Sequence, residues 1–215
     1  MRILGFGAHA DDAEIFFLGL LLVYRDEGHE IGWMVATDPP HSNNHRENAF
    51  ATRRAESIAA AATVDVEPIF LGLPDGQLEA DSSTIALIEQ RIVEFNPDLI
   101  VTHAPNDYHR DHRALSQAVV AAASYRAPVL FADTLAGVGA APTIYVEISR
   151  HIAIKRRALQ EHRSQNPAHL IYMSETQAAF RAMQRGLPAG NYVEAFSFEP
   201  TYKFTDIRAL LPKAA

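Results

Sequence analysis

Short apolar runs alternating with stretches of helical length restrict the fold of this sequence more than any other feature. Arg2 to Phe6, "EIGWMVAT" (30–37), "VEPIF" (66–70) and "DLIVTHA" (98–104) have the length and apolar content of buried strands. Between them lie helix-like segments. One starts at Asp12, carries Ile15, Phe16, Leu18, Leu22 and Val23, and ends near Gly28; others are "RENAFATRRAESIAAAA" (46–62), Ser82 to Phe95 behind Asp81, and Asp111 to Ala123. Such alternation predicts an α/β fold with a Rossmann-like, mostly parallel sheet and helices on both faces. The remainder is less regular: a strand at "PTIYVEIS" (142–149), helices over Ala153 to Arg163 and Glu175 to Arg185, and "YVEAFSFE" (192–199) as an edge strand. With no repeat or linker, the 215 residues read as a single domain, 1–215.

The apolar opening is interrupted by "HADD" (9–12), placing His9, Asp11 and Asp12 where a strand should give way to a helix. Charges in such a place need compensation, and a metal ion is one source of it. The structural alternative is that Asp12 caps the helix and His9 bonds to backbone. A second polar cluster, "THAPNDYHRDHRA" (102–114), follows the strand "DLIV" with three histidines and two aspartates. Its own structural alternative is that Asp107 and Asp111 cap the next helix. In an open parallel sheet both clusters reach the rim beyond the carboxyl ends of strands, the usual ligand site.

The chain has no cysteine and ten histidines, so a metal here takes nitrogen and oxygen ligands. His9 and Asp12 are spaced to share one ion, and His112 completes a two-histidine, one-carboxylate set with a position left for water. Zinc suits this set, and iron(II) also does. Asp11 is then placed to take a proton from the water, His109 to stabilise an oxyanion, and Asp111 to orient a ring nitrogen. The formal net charge of −7 argues against nucleic acid as a partner. The apolar run 15–24 is too short to insert in a membrane, and Met1 and Arg2 lead straight into "ILGF", so the expectation is a cytoplasmic protein. Its oligomeric state is not readable.

With these motifs the chain resembles the PIG-L/LmbE-like zinc-dependent deacetylases, the family of N-acetylglucosaminyl-phosphatidylinositol de-N-acetylase. "HADD" corresponds to the family's His-Pro-Asp-Asp and "HRDH" (109–112) to its His-x-Asp-His, with "PNDY" (105–108) before it. "TRRAE" (52–56), "LGLPDGQL" (71–78), "KRRALQEHRSQ" (155–165) and "YVEAF" (192–196) extend the likeness over most of residues 3–198. The resemblance implies zinc held by His9, Asp12 and His112, Asp11 as general base, and His109 as electrostatic or general-acid partner. It also implies substrate contacts from Arg53, although Arg53 and Glu56 equally fit an i,i+3 pair on an outer helix face. Asn106 and Asp107 are candidate contacts from "PNDY". His41 and His45 are either pocket residues or solvated ones, and His162 reads as a supporting residue.

Two departures stand out. Ala10 replaces the family's proline, and "TDPPHSNNHRENAF" (37–50) replaces its Thr-x-Gly-Glu loop beside the pocket. The family implies hydrolysis of an acetamide on a small molecule, an N-acetylglucosamine-like sugar conjugate. The altered loop keeps open an N-acyl amino acid or amine metabolite instead. A non-catalytic metal-dependent binding protein is the alternative from another class, and the retained Asp11 argues against it.

Overall fold

The computed structural model describes residues 1–38 and 46–213, with the side chains of 46–50 excluded. Its centre is a seven-stranded sheet. The strands are β1 (Arg2–Gly7), β2 (Glu30–Asp38), β3 (Ile69–Pro74), β4 (Leu99–Thr102), β5 (Val129–Ala132), β6 (Ile144–Glu147) and β7 (Val193–Phe198), in the order β3-β2-β1-β4-β5-β7-β6. The first five are mutually parallel, whereas β7 runs antiparallel to both β5 and β6. Mostly parallel is thus correct, with a mixed extension at one end. The helices are α1 (Asp12–Phe16), α2 (Leu18–Asp26), α3 (Arg46–Ala62), α4 (Ser82–Phe95), α5 (Arg110–Ala123), α6 (Ile152–Gln160) and α7 (Pro167–Gln184).

Alternation along the strands sorts the core into two layers. Leu4, Phe6, Met34 and Ile100 pack on Ile88 and Ile92 of α4 and on Leu115 and Val119 of α5. Ile3, Trp33, Val35, Leu99 and Val101 face the other way, onto α2, α3, α6 and α7. Helices therefore cover both faces, as parallel strands require.

Several details differ from the sequence expectation. The helix after Asp12 breaks at Phe17 (φ −148°), whose buried ring packs under β1 so closely that a Cβ on Gly5 would stand 2.5 Å from it. Strand β3 starts at Ile69 rather than Val66, because its register begins with Met34 opposite Ile69. The sequence pattern gives no sign of β5, "VLFA", which is too short to show alternation. "YVEAFSFE" is not an edge strand: β7 lies between β5 and β6, and its Glu194 is buried against Lys155 at 2.5 Å. Helix α7 begins ahead of Glu175, at Pro167, where proline is tolerated in the first turn. No helix among the described residues is long and apolar enough to cross a membrane.

Candidate active site

Strand order reverses at β1, which has β2 on one side and β4 on the other, and the crevice beyond these carboxyl ends is where a ligand binds in such sheets. Both polar clusters meet there. Gly7 ends β1 and lets the chain turn tightly, since a Cβ on it would stand 2.9 Å from that of Asp12. Asp12 Oδ2 accepts the His9 N–H at 2.7 Å, closing the turn. Asp12 is thus not a helix cap; the cap position belongs to Asp11, which makes no side-chain capping bond.

Three donor atoms form a near-equilateral triangle. His9 Nδ1 is 3.3 Å from Asp12 Oδ2, His112 Nε2 is 3.4 Å from the same oxygen, and the two nitrogens are 3.3 Å apart. Ligands about 2.0–2.1 Å from a tetrahedral ion lie about 3.3–3.4 Å from one another, so the triangle fits a zinc-sized divalent cation. Overlapping groups of potential ligand atoms occur at His9, His109 and His112, at Asp12, His103 and His112, and at His9, Asp75 and Asp111.

The far ring nitrogens face carboxylates. His9 Nε2 lies 3.3 Å from Asp111 Oδ2 and 3.4 Å from Asp75 Oδ1, and His112 Nδ1 lies 3.3 Å from Asp107 Oδ1. A proton on each far nitrogen leaves the lone pairs of His9 Nδ1 and His112 Nε2 toward the triangle. Asp111 is itself held by the Gly76 N–H at 2.6 Å and the Leu78 N–H at 3.3 Å. Gly76 supplies the first of these from a Pro74–Gln77 turn in which its φ is +75°, a conformation suited to glycine.

These contacts set the charges of the metal-free site. Burial works against a proton on His9, but Asp12, Asp111 and Asp75 push its pKa up to about 12. Burial likewise opposes protonation of His112, and Asp12 and Asp107 raise it to about 9. Asp12 is held well below the usual carboxylate range, its burial outweighed by His112, His103 and His9. His109 is lowered by burial and by the neighbouring His9 and His112. Its Nδ1 accepts the Asp111 N–H at 3.2 Å, so the neutral ring carries its proton on Nε2.

The expected substrate contacts fare differently. Arg53 Nη2 stands 3.6 Å from Asp11 Oδ1 and its Nη1 3.8 Å from Asp75 Oδ2, which brings it to the site. Glu56, its alternative partner, instead accepts Ser164 N–H and O–H at 2.8 and 2.7 Å. Asp107 is buried under the site, accepting the His109 N–H at 2.7 Å and facing His112; it has no open edge for substrate. Asn106 donates to Gly139 O at 2.8 Å. His162 Nε2 lies 3.5 Å from Oε1 of the fully buried Glu14. His41 and His45 lie outside the described residues.

Sequence reasoning missed two residues here. His103 is fully buried at the end of β4, its Nε2 accepts the Ala8 N–H at 3.0 Å and lies 3.0 Å from Asp12 Oδ2, and its ring stacks on His112 at 3.7 Å. Burial, with His112 beside it, pushes its pKa down to about 4. Asp75 is the other. Each is a polar residue at a strand end, which is the signal that could have marked them.

Residues 4–123 match the family model described as PIG-L: GlcNAc-PI de-N-acetylase. Among solved structures, GalB, the 4-carboxy-2-hydroxymuconate hydratase of Pseudomonas putida KT2440, is similar with a TM-score of 0.77 at 18% identity, over 93% of this chain and 97% of that one. The N,N'-diacetylchitobiose deacetylase of Pyrococcus horikoshii is similar with a TM-score of 0.79 at 21% identity, over 98% of this chain and 88% of that one. The conserved protein TT1542 of Thermus thermophilus gives 0.76 at 22% identity, over 91% and 93%.

Proposed function

The chain belongs to the PIG-L family of de-N-acetylases, the metal-dependent deacetylases of N-acetylated sugar-like substrates, and we propose from that premise that it releases acetate from a 2-acetamido sugar at the β1/β4 rim. The observation that carries this reading is the triangle of His9 Nδ1, Asp12 Oδ2 and His112 Nε2, with Asp11 next to it in sequence. The donor set fits zinc, with iron(II) as the other candidate. The chemistry such a cation supplies is Lewis acidity toward the acetamide carbonyl and a lowered pKa for water.

The protein's own groups do the rest. Asp11, adjacent to the triangle but not part of it, takes the proton of the attacking water. Arg53 holds its carboxylate in place from 3.6 Å. His109, whose Nδ1 accepts the Asp111 N–H so that its proton sits on Nε2, donates to the oxygen that becomes negative as the carbonyl is attacked. Asp107 and Asp111 keep the His112 and His9 rings oriented. Arg53 and Asp75 offer a donor and an acceptor side by side, a pair suited to vicinal sugar hydroxyls.

Acetate release from a panel of N-acetylated amino sugars and N-acyl amino acids tests the proposal. Turnover is expected for the sugars, and Asp11→Asn should lower it about 10²- to 10⁴-fold while metal content stays at the parent level. Release from N-acyl amino acids alone, or full turnover in the variant, would contradict the reading.

A further inference from the structure

Arg53 stands 3.6 Å from Asp11 Oδ1 and 3.8 Å from Asp75 Oδ2, farther from both than a hydrogen bond reaches. These partners alone do not fix its guanidinium, so the path of α3 matters. Among the described side chains of α3, the buried ones, Ser57, Ala60 and Ala61, all follow Arg53 in sequence, whereas Ala51, Thr52, Arg54 and Ala55 are exposed. The core thus grips the helix beyond Arg53. On Arg53 itself the nearer ties are those of its neighbours, and one of them, Arg54, lies over the Phe70 ring of β3 at 4.1 Å.

The other tie comes from Glu56, three residues on, which meets the single turn Arg163–Gln165 between α6 and α7. Glu56 accepts the Ser164 N–H at 2.8 Å and the Ser164 O–H at 2.7 Å, while Ser164 Oγ accepts from Gln165 Nε2 at 2.9 Å. The one proton of the hydroxyl is thereby committed to Glu56. Hydrogen bonds to a carboxylate are stronger than neutral ones, and two on one group fix its direction as well. The same segment also reaches α1. His162, just before the turn, has its Nε2 3.5 Å from Oε1 of Glu14, a fully buried residue three places after Asp11. Residues 162–164 therefore join the helix that follows Asp11 to the helix that carries Arg53.

Resting on the deacetylase reading above, we propose that Ser164 and Glu56 are positioning residues for the reaction, setting α3 so that Arg53 holds the Asp11 carboxylate. Neither takes part in the chemistry; both act through Arg53. A displacement of about 1 Å in such a group can cost about 10²-fold in rate, so loss of the tie is expected to show in turnover.

The test is a double-mutant cycle read as kcat/KM for acetate release from the N-acetylated amino sugars of the panel, N-acetylglucosamine among them. Glu56→Ala and Ser164→Ala should each lower it about tenfold or more in the parent, with zinc affinity unchanged, and Ser164→Thr should restore most of the loss. In the Arg53→Ala background the same two substitutions should each cost less than about twofold, because the residue they position is gone. Glu56→Gln, which keeps an acceptor for the Ser164 N–H, carries the cycle where Glu56→Ala does not fold. Equal losses with and without Arg53, no loss in the parent, or a loss that follows zinc affinity would overturn the positioning role and leave the deacetylase reading standing. No acetate from any of the sugars with the parent overturns both.

Discussion

Of the three histidines that face Asp12 Oδ2, His9 and His112 have a carboxylate at the other ring nitrogen, Asp111 for His9 and Asp107 for His112. Removing either should loosen a ring's orientation without removing a ligand, so Asp111→Asn and Asp107→Asn are each expected to weaken zinc binding about 10- to 100-fold, measured by competition with a chromophoric chelator. Unchanged affinity in both would show that the rings are held by other contacts. Gly7 makes a separate demand: a methyl group there would press on Asp12 from 2.9 Å. Gly7→Ala should therefore lose metal affinity more than it loses melting temperature, and the reverse order would place the strain in the core. The convergence of His9, Asp12 and His112 was legible because each lies in a compact polar motif at a strand end. Asp107 was legible as functional but not as to task, since reading it as a substrate contact required it to be open and the fold buries it. His103 and Asp75 acquire meaning only from strand order, which places β3 and β4 on either side of the β2–β1 pair.

The break between α1 and α2 is an element-level feature with its own support. Glu194 of β7 accepts the Gly19 and Leu20 N–H groups at 2.9 and 2.7 Å, and Lys155 of α6 bridges Glu194 to the carbonyl of Ile15 at 2.9 Å. The pair thus ties β7 and α6 to both α1 and α2 across the break, close behind the segment that carries Asp11 and Asp12. Lys155→Met leaves Glu194 buried without its countercharge and should cost roughly 3–5 kcal/mol in chemical denaturation. A loss of a few tenths would mean that the backbone N–H groups suffice. At the start of α6, burial lowers the His151 pKa against the opposing pull of Asp26. The folded state then binds this proton less readily than the unfolded chain, so the contribution of His151 is present above its unfolded pKa of about 6.5 and declines as pH falls below it. His151→Gln should accordingly lose less melting temperature than the parent between about pH 8 and about pH 5. Equal losses would remove His151 from the acid sensitivity. Helix periodicity and the four long strands were legible from pattern. The helix break was not, because "IFFLGLLLVY" is apolar on every side and hides where the chain turns.

Across the whole molecule, the sheet does what neither motif does alone. It joins β1 to β4 in parallel register, Ile3 beside Leu99 through Gly5 beside Val101, and so brings "HADD" and "HRDH" to one crevice. The architecture by itself does not name a reaction, since structures similar to this one include a hydratase as well as deacetylases. Function therefore rests on the site, where we propose that ligands from both motifs share one divalent cation. Zinc titration of metal-stripped protein, followed calorimetrically for the parent, His9→Ala and His112→Ala, tests it most directly. One tight equivalent per chain is expected in the parent, with loss of that equivalent when either histidine is removed and a fold that survives stripping because its two core layers do not depend on the ion. Tight one-to-one binding that persists in both variants would contradict the shared site.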